Sequence, residues 1–191
     1  MKTFLTSLSA LSFALLSCQA AAVNSITVKG EIANTTCNIT VAHDSSIGFA
    51  AILELSDISV NEFTGAGQGR GTELLDFMLL NCSGQALQNT YIHFETGLAT
   101  DASNPGVLLN TNNGTTGATG LALRLLDGGT LNPIEIGSAS QADGSSIELT
   151  ESPDEHGVYG KLHYAVQFYS IAETVTPGIV GSQVTWILGY K

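Results

Sequence analysis

Positive charge is scarce in this chain. Six lysines and arginines stand against seventeen aspartates and glutamates, a formal net charge of −11. So acidic a chain has no basic surface to hold phosphates, which excludes nucleic acid as a partner. The acidity favours solubility and says little about fold. Long apolar runs are missing too. The run from Leu8 to Leu16 is too short to cross a bilayer, and no later run approaches that length, so the reading is not an integral membrane protein.

The residues that carry chemistry are equally thin. The four histidines, His43, His93, His156 and His163, have no metal-ligand spacing with one another. Asp154-Glu155-His156 lies between Pro153 and Gly157 and reads as a solvated turn. The serines sit in no nucleophile elbow. The glycine-rich stretch Thr64–Gly71 lacks the Lys-Ser/Thr ending and the following helical pattern of a phosphate loop, and reads as a flexible connection. With no convergent acid, base or nucleophile, no catalytic residue, metal site or cofactor is assigned, and the chain is not read as an enzyme.

What is present begins with Met1-Lys2, the short apolar run and Ala20-Ala21-Ala22. Together these describe a secretory signal peptide over residues 1–22, with cleavage after Ala22. Leu15-Leu16-Ser17-Cys18 loosely resembles an acylation motif, which Leu16 fits poorly. Cleavage removes Cys18 and leaves Cys37 and Cys82, which pair in an exported chain as one disulfide. Residues 23–191 are enough for one domain with a real core.

The remaining pattern is all-β. Short apolar runs recur between turn residues, the mark of a sandwich or barrel. Candidate strands are Asn38–Val41, Ile52–Leu55, Ile58–Val60, Glu73–Cys82 (the most apolar, hence central), Tyr91–Glu95 and Val107–Leu109. They continue with Leu121–Asp127, Ile134–Ile136, Ile147–Leu149, Tyr159–Tyr169 and Ile179–Tyr190.

Both ends of the chain carry strands. Near the front, Ile26, Val28 and Ile32 alternate with Thr27, Lys29 and Glu31, and Gly30 interrupts the apolar face. A glycine inside a strand often marks close approach of another backbone. At the far end Val180, Val184, Trp186, Leu188 and Tyr190 share one face. Self-contained domains blunt terminal edges with charge, proline or bulges. Two unblunted ends point to strand addition as the function. The alternative is a self-complete secreted β-sandwich that binds carbohydrate or a surface partner.

Four stretches together resemble the subunits of chaperone–usher pili of the type 1 and P fimbrial group. Ile26–Ile32 followed by Cys37 is similar to the family's donor segment and first cysteine. Leu80-Asn81-Cys82 is similar to its second-cysteine strand, and Gly120–Asp127 to its central stretch. Tyr164–Tyr169, running through Val175-Thr176-Pro177-Gly178 to Tyr190-Lys191, resembles its C-terminal signature. The resemblance implies an incomplete immunoglobulin-like sandwich of six strands, the seventh supplied by another molecule. Residues 23–33 would be the donor extension and 34–191 the incomplete body. Ile26, Val28, Gly30 and Ile32 would be the donated face. Gly178, Val180, Val184, Trp186, Leu188, Tyr190 and Lys191 would form the acceptor groove and the chaperone-recognition end. The implied partners are neighbouring subunits, a periplasmic chaperone and an outer-membrane usher, and the implied location is a fimbria on the bacterial surface. The lead of only Val23–Ser25 before the motif is similar to that of minor, adaptor subunits.

Overall fold

The computed structural model describes residues 37–41, 52–80, 90–104, 106–112, 114–143, 146–149 and 158–190. Among these residues the chain is all-β, with eight strands and two short 3₁₀ turns. The strands are β1 (Asn38–Val41), β2 (Gly69–Leu80), β3 (Thr90–Glu95), β4 (Val107–Leu109), β5 (Leu121–Asp127), β6 (Ser146–Leu149), β7 (Val158–Ser170) and β8 (Thr185–Tyr190). None of the described helices is long and apolar enough to cross a membrane.

The strands form two sheets that face each other across one core. In the larger, the order is β1-β2-β7-β5-β4 and every pairing is antiparallel. The smaller is the antiparallel pair β3-β8. Strand alternation sends Phe77 and Leu79 of β2, Leu125 of β5 and Leu162 and Tyr164 of β7 inward. They meet Ile92 and Phe94 of β3, which are completely buried. Phe77 is the hub, edge-on to Phe94 (6.3 Å), Tyr164 (5.7 Å) and Trp186 (5.0 Å). Such perpendicular contacts add to plain area burial.

Eight described strands exceed the six expected. One reason is that β5 and β6 share the same side of β7 in succession. β5 pairs with residues 164–170 of β7 and β6 with residues 160–163. The chain leaves the sheet between them at Asp127, whose Oδ1 accepts from the Gly129 and Thr130 amides and turns the backbone away. The other reason is β4, a three-residue strip on the outer side of β5.

Five expectations need correction. Ile58–Val60 is not a strand, because Ser59 and Glu62 form a capping box that starts the 3₁₀ turn Val60–Glu62. The glycine-rich connection is shorter than Thr64–Gly71, since β2 begins at Gly69, across a bulge between Arg70 and Glu73. Gly71 (φ +61°) makes that bulge possible. Ile134–Ile136 buries alternate side chains yet has no ladder, only the isolated bridge from Leu126 to Pro133. The last strand is confined to Thr185–Tyr190, and residues 179–184 precede it outside any named strand. Ile52–Leu55 likewise alternates in burial without a ladder. Ile26, Val28, Gly30, Ile32, Cys82 and Lys191 lie outside the described residues.

Candidate functional site

The two edges of the small sheet are treated differently. On the β3 side the edge is closed by the chain's own groups. The Phe94 amide donates to Gln141 Oε1 (2.8 Å), and Gln141 Nε2 and the Gly137 amide donate to the Phe94 carbonyl (3.1 and 2.9 Å). The Ile92 amide donates to Tyr164 Oη (3.0 Å). A side-chain amide and a phenol thus stand where a neighbouring strand would be, one way of blunting an edge. On the β8 side, among the described residues, no backbone bond reaches Thr185–Tyr190 except from β3.

Among the described residues, the larger sheet also ends in a one-sided strand, β1, which pairs with β2 alone. The β1 and β8 edges meet at one end, where the Cys37 amide donates to Tyr190 Oη (3.2 Å). Away from that point they part, and an apolar groove lies between the sheets. It has two chambers. The first, of about 450 Å³, is lined by residues including Val41, Leu75, Phe77, Val184 and Trp186. The second, of about 840 Å³, is lined by residues including Ile58, Phe63, Leu121, Phe168 and Val180. Leu53, Leu55, Leu123 and Ser182 border both chambers and form the waist between them.

The wall formed by residues 176–181 is held from outside. The polar loop after β4 runs beside it and is stitched to it. The Ala118 amide donates to the Ile179 carbonyl (3.0 Å), and the Ile179 amide donates to Thr116 (2.8 Å). The Asn110 side chain is the centre of this strap. Its Nδ2 donates to the carbonyls of Ala118 (2.9 Å) and Ile179 (3.0 Å), and its Oδ1 accepts from the Gly181 amide (2.9 Å). Gly178 lies against the same loop. A Cβ there would stand 2.5 Å from the Ala118 nitrogen and 2.7 Å from the Thr116 oxygen. Asn110→Ala removes these three bonds and the one its Oδ1 accepts from the Asn112 amide (3.0 Å), and is expected to cost about 2 kcal/mol, seen as a lower urea midpoint. An unchanged midpoint would mean that the strap does not hold the wall.

The structure places the far-end residues in different roles. Val180, Val184, Trp186 and Leu188 are half-buried and pack on the core. Gly178 is a contact point for the strap, and Tyr190 ties the two edges together. Sequence reasoning passed over Leu53, Leu55, Asn110 and Ser182. The first two were legible as alternation and Ser182 as the one polar residue in the inward series 180–188. Asn110 gave no local signal, since its partners lie up to 71 residues away.

A family model described as "Fimbrial protein" matches residues 26–191. The F17 fimbrial protein of Escherichia coli is 25% identical over 169 residues, covering 87% of this chain and 86% of that protein. Among solved structures, an antigen and type I fimbria protein of Burkholderia pseudomallei superposes with a TM-score of 0.51 at 24% identity, covering 82% of this chain and 99% of that one. The P pilus rod subunit PapA does so with a TM-score of 0.53 at 19% identity, covering 87% and 100%. At these identities the structural likeness is one of fold.

Proposed function

The chain belongs to the fimbrial protein family, and from that premise we propose that it is a structural pilus subunit whose groove receives a strand donated by a second subunit. The observation that carries this reading is the contrast between edges. The β3 edge is closed by Gln141 and Tyr164, whereas among the described residues the β8 and β1 edges flank an open apolar groove. A backbone inserted there would meet main-chain groups on both sides and apolar walls below.

The donated segment is residues 23–33 of a neighbouring copy or related subunit. Antiparallel to β8, with Gly30 at the waist, Val28 falls opposite Val184, Ile26 opposite Trp186 and Ile32 opposite Val180. Two large residues then enter the chamber holding Val184 and Trp186, and one enters the chamber holding Val180. Reversing the strand would put Val28 against Val180 and send Ile26 onto the closed contact at Gly178. Full burial of the three side chains contributes roughly 5–9 kcal/mol before ordering costs.

Cys37 and Cys82 form a disulfide across β1 and β2. The register supports it: Asn38, next to Cys37, faces Leu80, and Cys82 follows Leu80 by two residues in the sequence, at most ~7 Å of chain. The loop closed is worth on the order of 4 kcal/mol in the chain-entropy model. Residues 1–22 direct export and are removed, leaving residues 23–33 as donor and 34–191 as body. A periplasmic chaperone fills the groove first, engaging the end at Tyr190-Lys191, and an outer-membrane usher exchanges the chaperone strand for the next subunit's, building a fimbria on the cell surface.

Co-expression with a pilus chaperone tests this. The intact chain is expected to co-purify with the chaperone, and a chain truncated before Gly178 is not. A chaperone that ignores the intact chain would contradict the reading and favour a self-complete sandwich.

A further inference from the structure

The wall that ends in β8 turns every second residue inward: Val180, Ser182, Val184 and Trp186 line the groove, and Leu188 packs on the core beyond it. Four are apolar and one is a hydroxyl. Ser182 Oγ is buried and has no hydrogen-bond partner among the described residues. It also lies at the waist, bordering both chambers. A buried, unmade hydroxyl bond is costly, and an alanine of nearly the same shape would avoid the cost. The front segment has a matching interruption. Its inward series is Ile26, Val28, Gly30 and Ile32, with one position lacking a side chain.

Resting on the strand-donation reading above, we infer that Ser182 is a specificity-determining polar contact, its hydroxyl donating to a main-chain carbonyl of the incoming strand at Gly30. The two interruptions fall opposite each other when Val28 faces Val184 and Ile32 faces Val180. A glycine there lets the strand's main chain sit within reach of a short side chain, since no Cβ stands between. A serine hydroxyl rotates to suit its acceptor. The waist would then check register. A donor shifted by two residues puts Val28 or Ile32 against the hydroxyl, burying it beneath a branched side chain. Only the register with Gly30 at the waist satisfies it. The ligand is thus an extended apolar segment with a glycine at one fixed position, rather than any strand of alternating apolar residues.

The test uses the intact mature chain in its chaperone complex and a labelled synthetic peptide of residues 23–33. Peptide residence is measured after a chase with unlabelled peptide. Ser182→Ala is expected to shorten residence about tenfold, the loss of one hydrogen bond. The same variant is expected to keep, or slightly raise, the melting temperature of the chain without peptide, because an unpartnered hydroxyl has been removed. A merely structural serine would lower it. A peptide carrying Gly30→Ala is expected to leave the wild-type and Ser182→Ala chains equally fast. Equal residence of the wild-type peptide on the two chains would overturn the inference while leaving strand donation standing. A wild-type chain that takes up no peptide would overturn strand donation itself, and this inference with it.

Discussion

Phe77→Ala is expected to lower the unfolding free energy by about 3–5 kcal/mol, the range for removing a buried aromatic ring. Phe77 is 1% exposed and is the one ring in contact with three others. It sits on β2, an interior strand of the larger sheet, and touches Tyr164 from its own sheet and Phe94 and Trp186 from the other. No neighbouring side chain can collapse into the space without breaking one of those contacts. It also lines the first chamber of the groove, so the void would be continuous with it. Small domains carry about 5–15 kcal/mol in all, so this loss would remove a large part of the total. Urea unfolding of the chaperone-free chain checks it. A change below about 1 kcal/mol would mean that the groove floor relaxes into the cavity and that the aromatic cluster is not the core's fixed point.

Deleting residues 23–32 is expected to abolish polymerisation while leaving the body folded and able to bind its chaperone. The body has its own framework in the β2–β7–β5 ladder, the aromatic hub and the Asn110 strap. The groove walls are set by β8, by residues 52–58 and by the strap, so an incoming strand still finds a formed site. Size-exclusion chromatography would show loss of high-mass species with an unchanged urea midpoint for the chaperone-released body. Unfolding of the deleted chain in the cell, with no chaperone complex recovered, would show instead that the segment is the domain's own edge strand.

Much of this architecture was legible because strand burial has a period of two. Ile92 and Phe94, and Tyr164 and Val166, stood out that way, while Phe77 and Leu79 fell within the most apolar run; each pair lies in the core. The same signal overreached at Ile52–Leu55, Ile134–Ile136 and residues 179–184, where alternate residues are buried but no ladder forms. Alternation reports which face is covered; it does not report a hydrogen-bonded neighbour. At Ile134–Ile136 the neighbour is replaced by the isolated bridge at Pro133 and the Gly137 bond to Phe94. At residues 52–55 and 179–184 the strand-like segments flank the groove, where a partner strand would complete them. Those two misreadings therefore mark the site. The pieces that stayed hidden act across long separations. Asn110 reaches residues 179 and 181, and Gln141 reaches Phe94, through single side chains that leave no periodic trace.

Whether the strand comes from a second molecule is the central question, and one mixing experiment addresses it. One chain lacks residues 23–32 and can only accept. The other keeps them but carries Val184→Asp, which places a charge in the first chamber, so it can only donate. The two are co-refolded and weighed by native mass spectrometry. A one-to-one complex, with neither chain assembling alone, is the result expected of donation between molecules. Two populations of separate monomers, with no mixed complex, would contradict it.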